Sequence, residues 1–113
     1  MTADRGFVAV LVIDLHFPQA GSLKSKRKEL SSIKAQLQGR LGLSVAEVAH
    51  HDLWQRSRLA AALTSGSLAT LLTATDKAER WLESRCPDGV RVERVVASVE
   101  ELGDGISSLS MEG

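Results

Sequence analysis

The sequence predicts a small α+β domain, and three observations support that prediction. Its 113 residues are 43% apolar and 25% charged, which suits one soluble domain with a hydrophobic core. Two stretches have apolar residues at the three- and four-residue spacing of amphipathic helices, and four shorter stretches are rich in β-branched or small apolar residues. These stretches follow one another in the order β, α, β, β, α, β, so strands and helices are expected to share one core.

The first strand is expected over Phe7–Phe17, and it ends at Pro18 and Gly21. Successive side chains of a strand point to opposite faces. The odd-numbered residues are all apolar and are predicted to face the core; they are Phe7, Ala9, Leu11, Ile13, Leu15 and Phe17. The even-numbered residues begin apolar and end polar; they are Val8, Val10, Val12, Asp14 and His16.

The two helices are predicted from their caps and their apolar stripes. The first helix begins after Ser22, whose side chain is typical of an N-cap. It ends near Gly39 and Gly42, because glycine favours the left-handed conformation of a C-terminal cap. Its stripe is Leu23, Leu30, Ile33, Leu37 and Leu41. The second opens at Gly66-Ser67 and stops at Pro87-Asp88-Gly89. Its stripe is Leu68, Leu71, Leu72, Thr75, Ala78 and Leu82.

The remaining strands are expected at 43–50, 58–64 and 90–97. The segment 58–64 is rich in Ala, so a helix is the alternative there. The short gap before 58–64 favours an antiparallel hairpin. The whole order is that of a ferredoxin-like βαββαβ domain. Right-handed crossovers place both helices on one face of a four-stranded antiparallel sheet. Residues 1–97 would form this single domain, and 98–113 a flexible or partly helical acidic tail.

The other face of that sheet has no helix to cover it and is expected to carry Val8, Val10 and Val12. An exposed contiguous apolar patch usually marks an interface. We therefore predict a homodimer or another partner on this face. The hairpin residues expected to contribute further contacts are Trp54, Gln55 and Arg56.

Composition excludes several classes of protein. The formal net charge is zero, so no overall field attracts nucleic acid or membrane. Cys86 is the only cysteine, which excludes an intrachain disulfide framework or a cysteine-based zinc site and suits a reducing compartment. The longest apolar run, Phe7–Ile13, is far shorter than the roughly 20 residues that span a bilayer. The expected location is cytoplasmic, without membrane contact.

Four blocks along the chain carry a resemblance: Asp14-Leu-His16, Gly21-Ser-Leu-Lys-Ser-Lys-Arg27, Ser44-Val-Ala-Glu-Val48 and Asp52-Leu-Trp-Gln-Arg56. They resemble the YlxP-like family of small bacterial proteins, catalogued as a domain of unknown function, over about residues 7–97. The resemblance implies a ferredoxin-like fold. It also implies neighbourhood with translation genes, because members are often encoded beside ribosome-binding factor A and translation initiation factor two. It implies no catalytic residues.

The first helix concentrates positive charge, with Glu29 as its one acidic residue. Cations in a first turn oppose the helix dipole, and Lys24 and Lys28, four residues apart, repel each other. A phosphate at the helix start would relieve both costs. The predicted RNA- or anion-binding residues are Ser22, Lys24, Lys26, Arg27, Lys28 and Lys34. The alternative is a solvated face that only maintains solubility.

The kind of RNA is predicted from the aromatic residues. Phe7 and Phe17 fall on the core face and there is no Tyr, so recognition of structured RNA by shape and backbone is expected, without DNA sequence readout. Trp54 could stack on a base or anchor a partner, but the favoured interpretation is that Leu53 and Trp54 cover the end of the sheet or a dimer seam. Arg56 could hold a phosphate, but a pair with Asp52 across the turn is favoured.

A metal or acid–base site is the competing hypothesis, built on Asp14, His16, Glu47, His50, His51 and Asp52. No ligand spacing supports it, and adjacent His50 and His51 would point to opposite faces of a strand. Hydrogen-bonded polar residues at the sheet end are favoured instead. We therefore expect no catalytic residue, metal or cofactor. The expected function is a non-enzymatic module associated with RNA or the ribosome, and the alternative is a structural protein that works through its open sheet face.

Overall fold

The computed structural model describes residues 5–87 and 89–109. The elements are β1 Phe7–His16, α1 Leu23–Gly39, β2 Ser44–Ala49, β3 Arg56–Ser65, α2 Leu68–Arg85, β4 Val90–Ser98 and α3 Val99–Leu109. The four strands form one antiparallel sheet in the order β2-β3-β1-β4. This is the ferredoxin-like arrangement that the sequence predicts, and the Ala-rich segment is strand β3 rather than a helix.

The core lies between the sheet and the two long helices. Leu11 and Ile13 on the odd-numbered side of β1 are fully buried. They belong to one apolar cluster with Ile33 of α1 and Leu82 of α2. Both helices therefore cover the same face of the sheet, as predicted. The prediction for Leu68 was wrong: as the first residue of α2 it lies outside the cluster, and its side chain is 41% exposed.

Two glycines shape the ends of these elements. Gly42 has φ +71°, the left-handed conformation expected after α1. At the start of β4, the amide of His16 donates to the Gly89 carbonyl at 2.8 Å. A Cβ atom at Gly89 would lie 2.6 Å from the His16 Cβ and 2.9 Å from its carbonyl oxygen. Only glycine permits this close approach, which sets the position of the His16 end of the sheet.

The face of the sheet opposite α1 and α2, which we call the open face, carries small and apolar residues at its middle. Across the strands, Val10 pairs with Ala62 of β3 and with Val95 of β4. Val95 is 60% exposed, and Val48 on the edge strand β2 is 50% exposed. The helices α1 and α2 lie on the opposite face, so this surface is left uncovered by them.

A third helix, α3, follows β4 directly. It begins with a capping box: the Glu101 amide donates to the Ser98 hydroxyl at 3.0 Å, and the Ser98 amide donates to the Glu101 carboxylate at 2.9 Å. The hydrogen bonds that the Glu101 carboxylate accepts from Ser98, the backbone one first, lower the pKa of the Glu101 carboxyl. The contribution of the Glu101 carboxylate to the cap is therefore fully present above the ordinary Glu range and is lost as pH falls through the lowered pKa. The predicted tail is thus helical over 99–109, and its last residues, 110–113, lie outside the described residues.

Candidate functional site

Three segments meet at the His16 end of the sheet: the loop after β1, the first turns of α1 and the turn between β2 and β3. We call residues 16–28 and 50–56 the corner. Gln55 ties the two loops together, because its side-chain amide donates to the carbonyls of Pro18 at 3.4 Å and Ala20 at 3.5 Å. The Phe17 amide also donates to the Gln55 carbonyl at 2.8 Å. The corner thus brings together three of the four blocks that carry the family resemblance.

Lys26 joins α1 to the β2–β3 turn from inside the protein. Its side chain is 1% exposed, and its ammonium donates to the carbonyls of His50 at 2.6 Å and His51 at 3.4 Å. The same nitrogen lies 3.5 Å from the Glu47 carboxylate, which also accepts a bond from the Ser57 hydroxyl. The prediction that Lys26 contacts RNA was wrong, because this ammonium is enclosed and already engaged by protein oxygens.

The other predicted cations of α1 lie on one side of the helix. Lys24, Arg27 and Lys28 are exposed and Lys34 is half-buried. At about 100° per residue these four positions fall within a sector of about 120°, which we call the basic flank. Glu29 lies on the other side of the buried stripe, where it pairs with Arg85 of α2 at 3.2 Å. The basic flank therefore receives no neutralising carboxylate from its own helix.

Ser22 and Arg56 complete the set of corner residues. The Ser22 hydroxyl oxygen accepts from the Ser25 amide at 3.0 Å, which confirms Ser22 as the N-cap of α1. The predicted pairing of Arg56 with Asp52 was wrong, since no ion pair joins them in the part of the chain that the structure describes. One of the ion pairs near Arg56 joins Arg58 to Asp14 at 2.7 Å, and the hydrogen bond with Asp14 raises the pKa of Arg58. Arg56 is left as a further cation at the corner.

The β2–β3 turn presents apolar side chains to solvent. Trp54 is 53% exposed and Leu53 is 46% exposed, so they do not cover the end of the sheet, and that part of the prediction was wrong. Whether they form a dimer seam stays a prediction. His50 adopts the left-handed conformation, with φ +65°, and its carbonyl accepts from the Leu53 amide at 3.2 Å. The turn is therefore closed by its own backbone as well as by Lys26.

The residues of the competing metal hypothesis are separated by their partners. Asp14 is bound to Arg58, whereas Glu47 is bound to Lys26 and lies 3.9 Å from His51. His50 is not a strand residue, since β2 ends at Ala49. Across 5–87 and 89–109, no group of three or more His, Cys, Asp or Glu side chains is placed to hold a metal ion.

A cavity of about 240 Å³ adjoins the corner, and the sequence pattern did not indicate it. It forms between the loop after β1 and the junction of α2 with β4, and its lining includes Pro18, Arg85 and Cys86. Burial raises the pKa of the Cys86 thiol, against the opposing effect of Arg85. A thiol held protonated is a poor nucleophile, so this cavity lacks an activated cysteine.

The zero net charge of the chain conceals an uneven distribution. Around the corner, the acidic residues Asp14, Glu29 and Glu47 each have a cationic partner. Within 5–87 and 89–109, no ion pair engages the exposed corner cations Lys24, Arg27, Lys28 and Arg56 or the corner acid Asp52. The acidic first turn of α3 lies at the opposite end of the sheet, because Ser98 pairs with Phe7. The corner is therefore a local positive site on a neutral protein.

Fold and site together define a small ferredoxin-like domain protein with one basic corner. Residues 8–96 match the model of a family described as "Protein of unknown function (DUF503)", and the chain belongs to this family. It is 40% identical over 48 residues to "Uncharacterized protein YlxP" of Bacillus subtilis (strain 168). That match spans 42% of this chain and 52% of the relative, about half of its length. The predicted family resemblance is thereby confirmed.

The fold is also similar to a solved structure. "De novo designed protein Foldit4" superposes with a TM-score of 0.53 at 10% identity, and the alignment covers 82% of this chain and 97% of that one. At this identity the likeness shows the fold alone. As for membranes, no helix within the described ranges is long and apolar enough to span a bilayer.

Proposed function

We propose that this protein is a non-enzymatic RNA-binding module that contacts ribosomal or other structured RNA through the corner and the basic flank. The observation that carries the proposal is the exposure of Lys24, Arg27 and Lys28 on one side of α1, while Glu29 and Glu47 are already paired with other cations. Several neighbouring cations without carboxylate partners suit a row of phosphates. The Ser22 hydroxyl at the helix start keeps its hydrogen available as a further donor.

The expected contact is small. Lys24 and Lys34 are separated by about 15 Å along the helix axis, at about 1.5 Å per residue. With Arg56 at the corner, this surface would neutralise about three to five phosphates, which makes binding sensitive to salt. Phosphate contacts position an RNA but do not read its sequence, so selectivity has to come from its shape or from its unpaired bases.

A charge-reversal comparison tests the proposal. We expect Lys24→Glu with Arg27→Glu to weaken binding to ribosomal RNA by about tenfold or more at low salt, because two phosphate contacts become repulsive. The matched control is Lys77→Glu with Arg80→Glu, which changes two exposed cations of α2 and so shifts the net charge equally. Fluorescence anisotropy would measure both affinities. Equal losses of affinity in the two variants would contradict a localised site. Lys26 is left unchanged in both variants because its buried ammonium holds the β2–β3 turn.

A second candidate function is self-association through the open sheet face, and its apolar middle row of Val10, Ala62 and Val95 favours it. A patch of four strands and five residues measures roughly 19 by 17 Å, so two such faces bury roughly 600 Å². That is below the roughly 1,000 Å² of a stable interface. If two copies pack with antiparallel strands, the Phe7 end of each sheet, where the acidic first turn of α3 begins, lies opposite the His16 end of the other.

A further inference from the structure

Trp54 combines a large exposed aromatic surface with a fixed position. Its side chain is 53% exposed, whereas Trp81, the other tryptophan, packs against the core. This exposure is high for the residue type, because tryptophan is highly buried on average. Its flat face and ring nitrogen suit stacking combined with a hydrogen bond.

The turn that carries Trp54 is anchored on both sides. Before it, the His50 carbonyl accepts from both the Lys26 ammonium and the Leu53 amide. After it, Gln55 is bound to the loop after β1 through its side chain and its carbonyl. A ligand that stacks on the indole would therefore lose little binding free energy to ordering the turn.

The same anchor holds the turn that carries Trp54 against the first turns of α1. Lys26 holds the turn against α1, and the exposed Arg27 is the next residue along that helix, about 100° around it from Lys26. Arg56 follows Trp54 by two residues. An aromatic platform beside a cationic track is the arrangement that binds single-stranded nucleic acid, in which bases stack and phosphates meet cations.

A protein partner is the main competing ligand for an exposed tryptophan. The rim of a protein interface carries polar groups of mixed character, and charged residues are depleted at its centre. Among the exposed residues of the corner, four cations, Lys24, Arg27, Lys28 and Arg56, stand against one acidic residue, Asp52. This one-sided charge favours a polyanion.

We infer that Trp54 is a stacking platform for an unpaired nucleobase, so the RNA bound at the corner exposes a loop, bulge or single-stranded end. This inference rests on the proposed RNA-binding function and names the class of RNA. It replaces the expectation of recognition by shape and backbone alone, which depended on the absence of an exposed aromatic side chain.

The test compares an RNA hairpin that has an unpaired loop with a fully paired RNA duplex of the same length. We expect Trp54→Ala to weaken hairpin binding by about 5- to 100-fold and to leave duplex binding within about twofold. Trp54→Phe should retain most of the affinity, and Leu53→Ala is the neighbouring control. In a Trp81→Phe background, Trp54 is the only indole, and its fluorescence should be quenched by the hairpin and not by the duplex.

The outcomes separate this inference from the proposed function. If the Lys24→Glu, Arg27→Glu variant loses binding while Trp54→Ala binds the hairpin normally and no quenching occurs, stacking is refuted and the RNA-binding function stands. If the unchanged protein binds neither RNA, both are refuted. A DNA oligonucleotide of the loop sequence that quenches Trp54 equally would support the platform and show that it accepts unpaired bases of either nucleic acid.

Discussion

Replacing Lys26 by methionine is expected to lower the free energy of unfolding by about 3 kcal/mol. Methionine keeps much of the apolar stem but removes the ammonium that binds the His50 and His51 carbonyls and faces Glu47. Removing one partner of a buried charged network leaves the remaining groups desolvated and unpaired. Urea denaturation followed by circular dichroism measures the change.

Lys28→Met is the matched control, since Lys28 lies two residues away on the same helix and is exposed. Its effect should stay within about 0.5 kcal/mol, as for most surface substitutions. If the two variants were equally stable, Lys26 would not be the buried tie between α1 and the β2–β3 turn, and the fixed position of Trp54 would lose its support.

Replacing Val10 by lysine is expected to abolish self-association, with a dimer at least about 100-fold weaker than that of the unchanged protein. Val10 lies at the middle of the open face, between Ala62 and Val95, so a second copy would bury the new ammonium without a partner. Sedimentation velocity over a range of protein concentrations measures the effect.

The control for Val10→Lys is Leu68→Lys, which adds the same charge at an exposed apolar position of α2. It should leave the association constant unchanged. An unchanged protein that stays monomeric at about 100 μM, or a Val10→Lys variant that still dimerises, would refute the open face as the interface.

The fold was predictable because its signals are local. Alternation along β1 separates Leu11 and Ile13 from Val10 and Val12, and the structure buries the first pair more fully than the second. The caps Ser22 and Gly42 are short-range features of the same kind. The capping box that starts α3 was equally readable, since Ser98 and Glu101 have its three-residue spacing.

The corner was only partly predictable, because its contacts are non-local. Lys26 looks like one member of a basic run, yet it precedes Leu30 by four residues and so lies on the buried stripe of α1. That register was a signal for burial, since lysine stems can pack among apolar residues. Its carbonyl partners are 24 and 25 residues away in the chain, and no local pattern predicts them.

The exposure of Trp54 was missed for a related reason. The sequence shows an aromatic residue in a hairpin turn, which is compatible both with covering the sheet and with facing solvent. The outcome depends on how the left-handed His50 and the bonds of Gln55 orient the turn. Those contacts exist only once α1 and the hairpin have packed together.

The salt dependence of binding to ribosomal RNA tests the central claim most directly. Anisotropy titrations of the full chain, repeated across salt concentrations, give the slope of log K against log salt. Three to five neutralised phosphates predict a slope of about −2 to −4, and Lys24→Glu with Arg27→Glu should reduce its magnitude by about 1.5. A slope near zero, or no binding at about 50 mM salt, would contradict an RNA-binding corner.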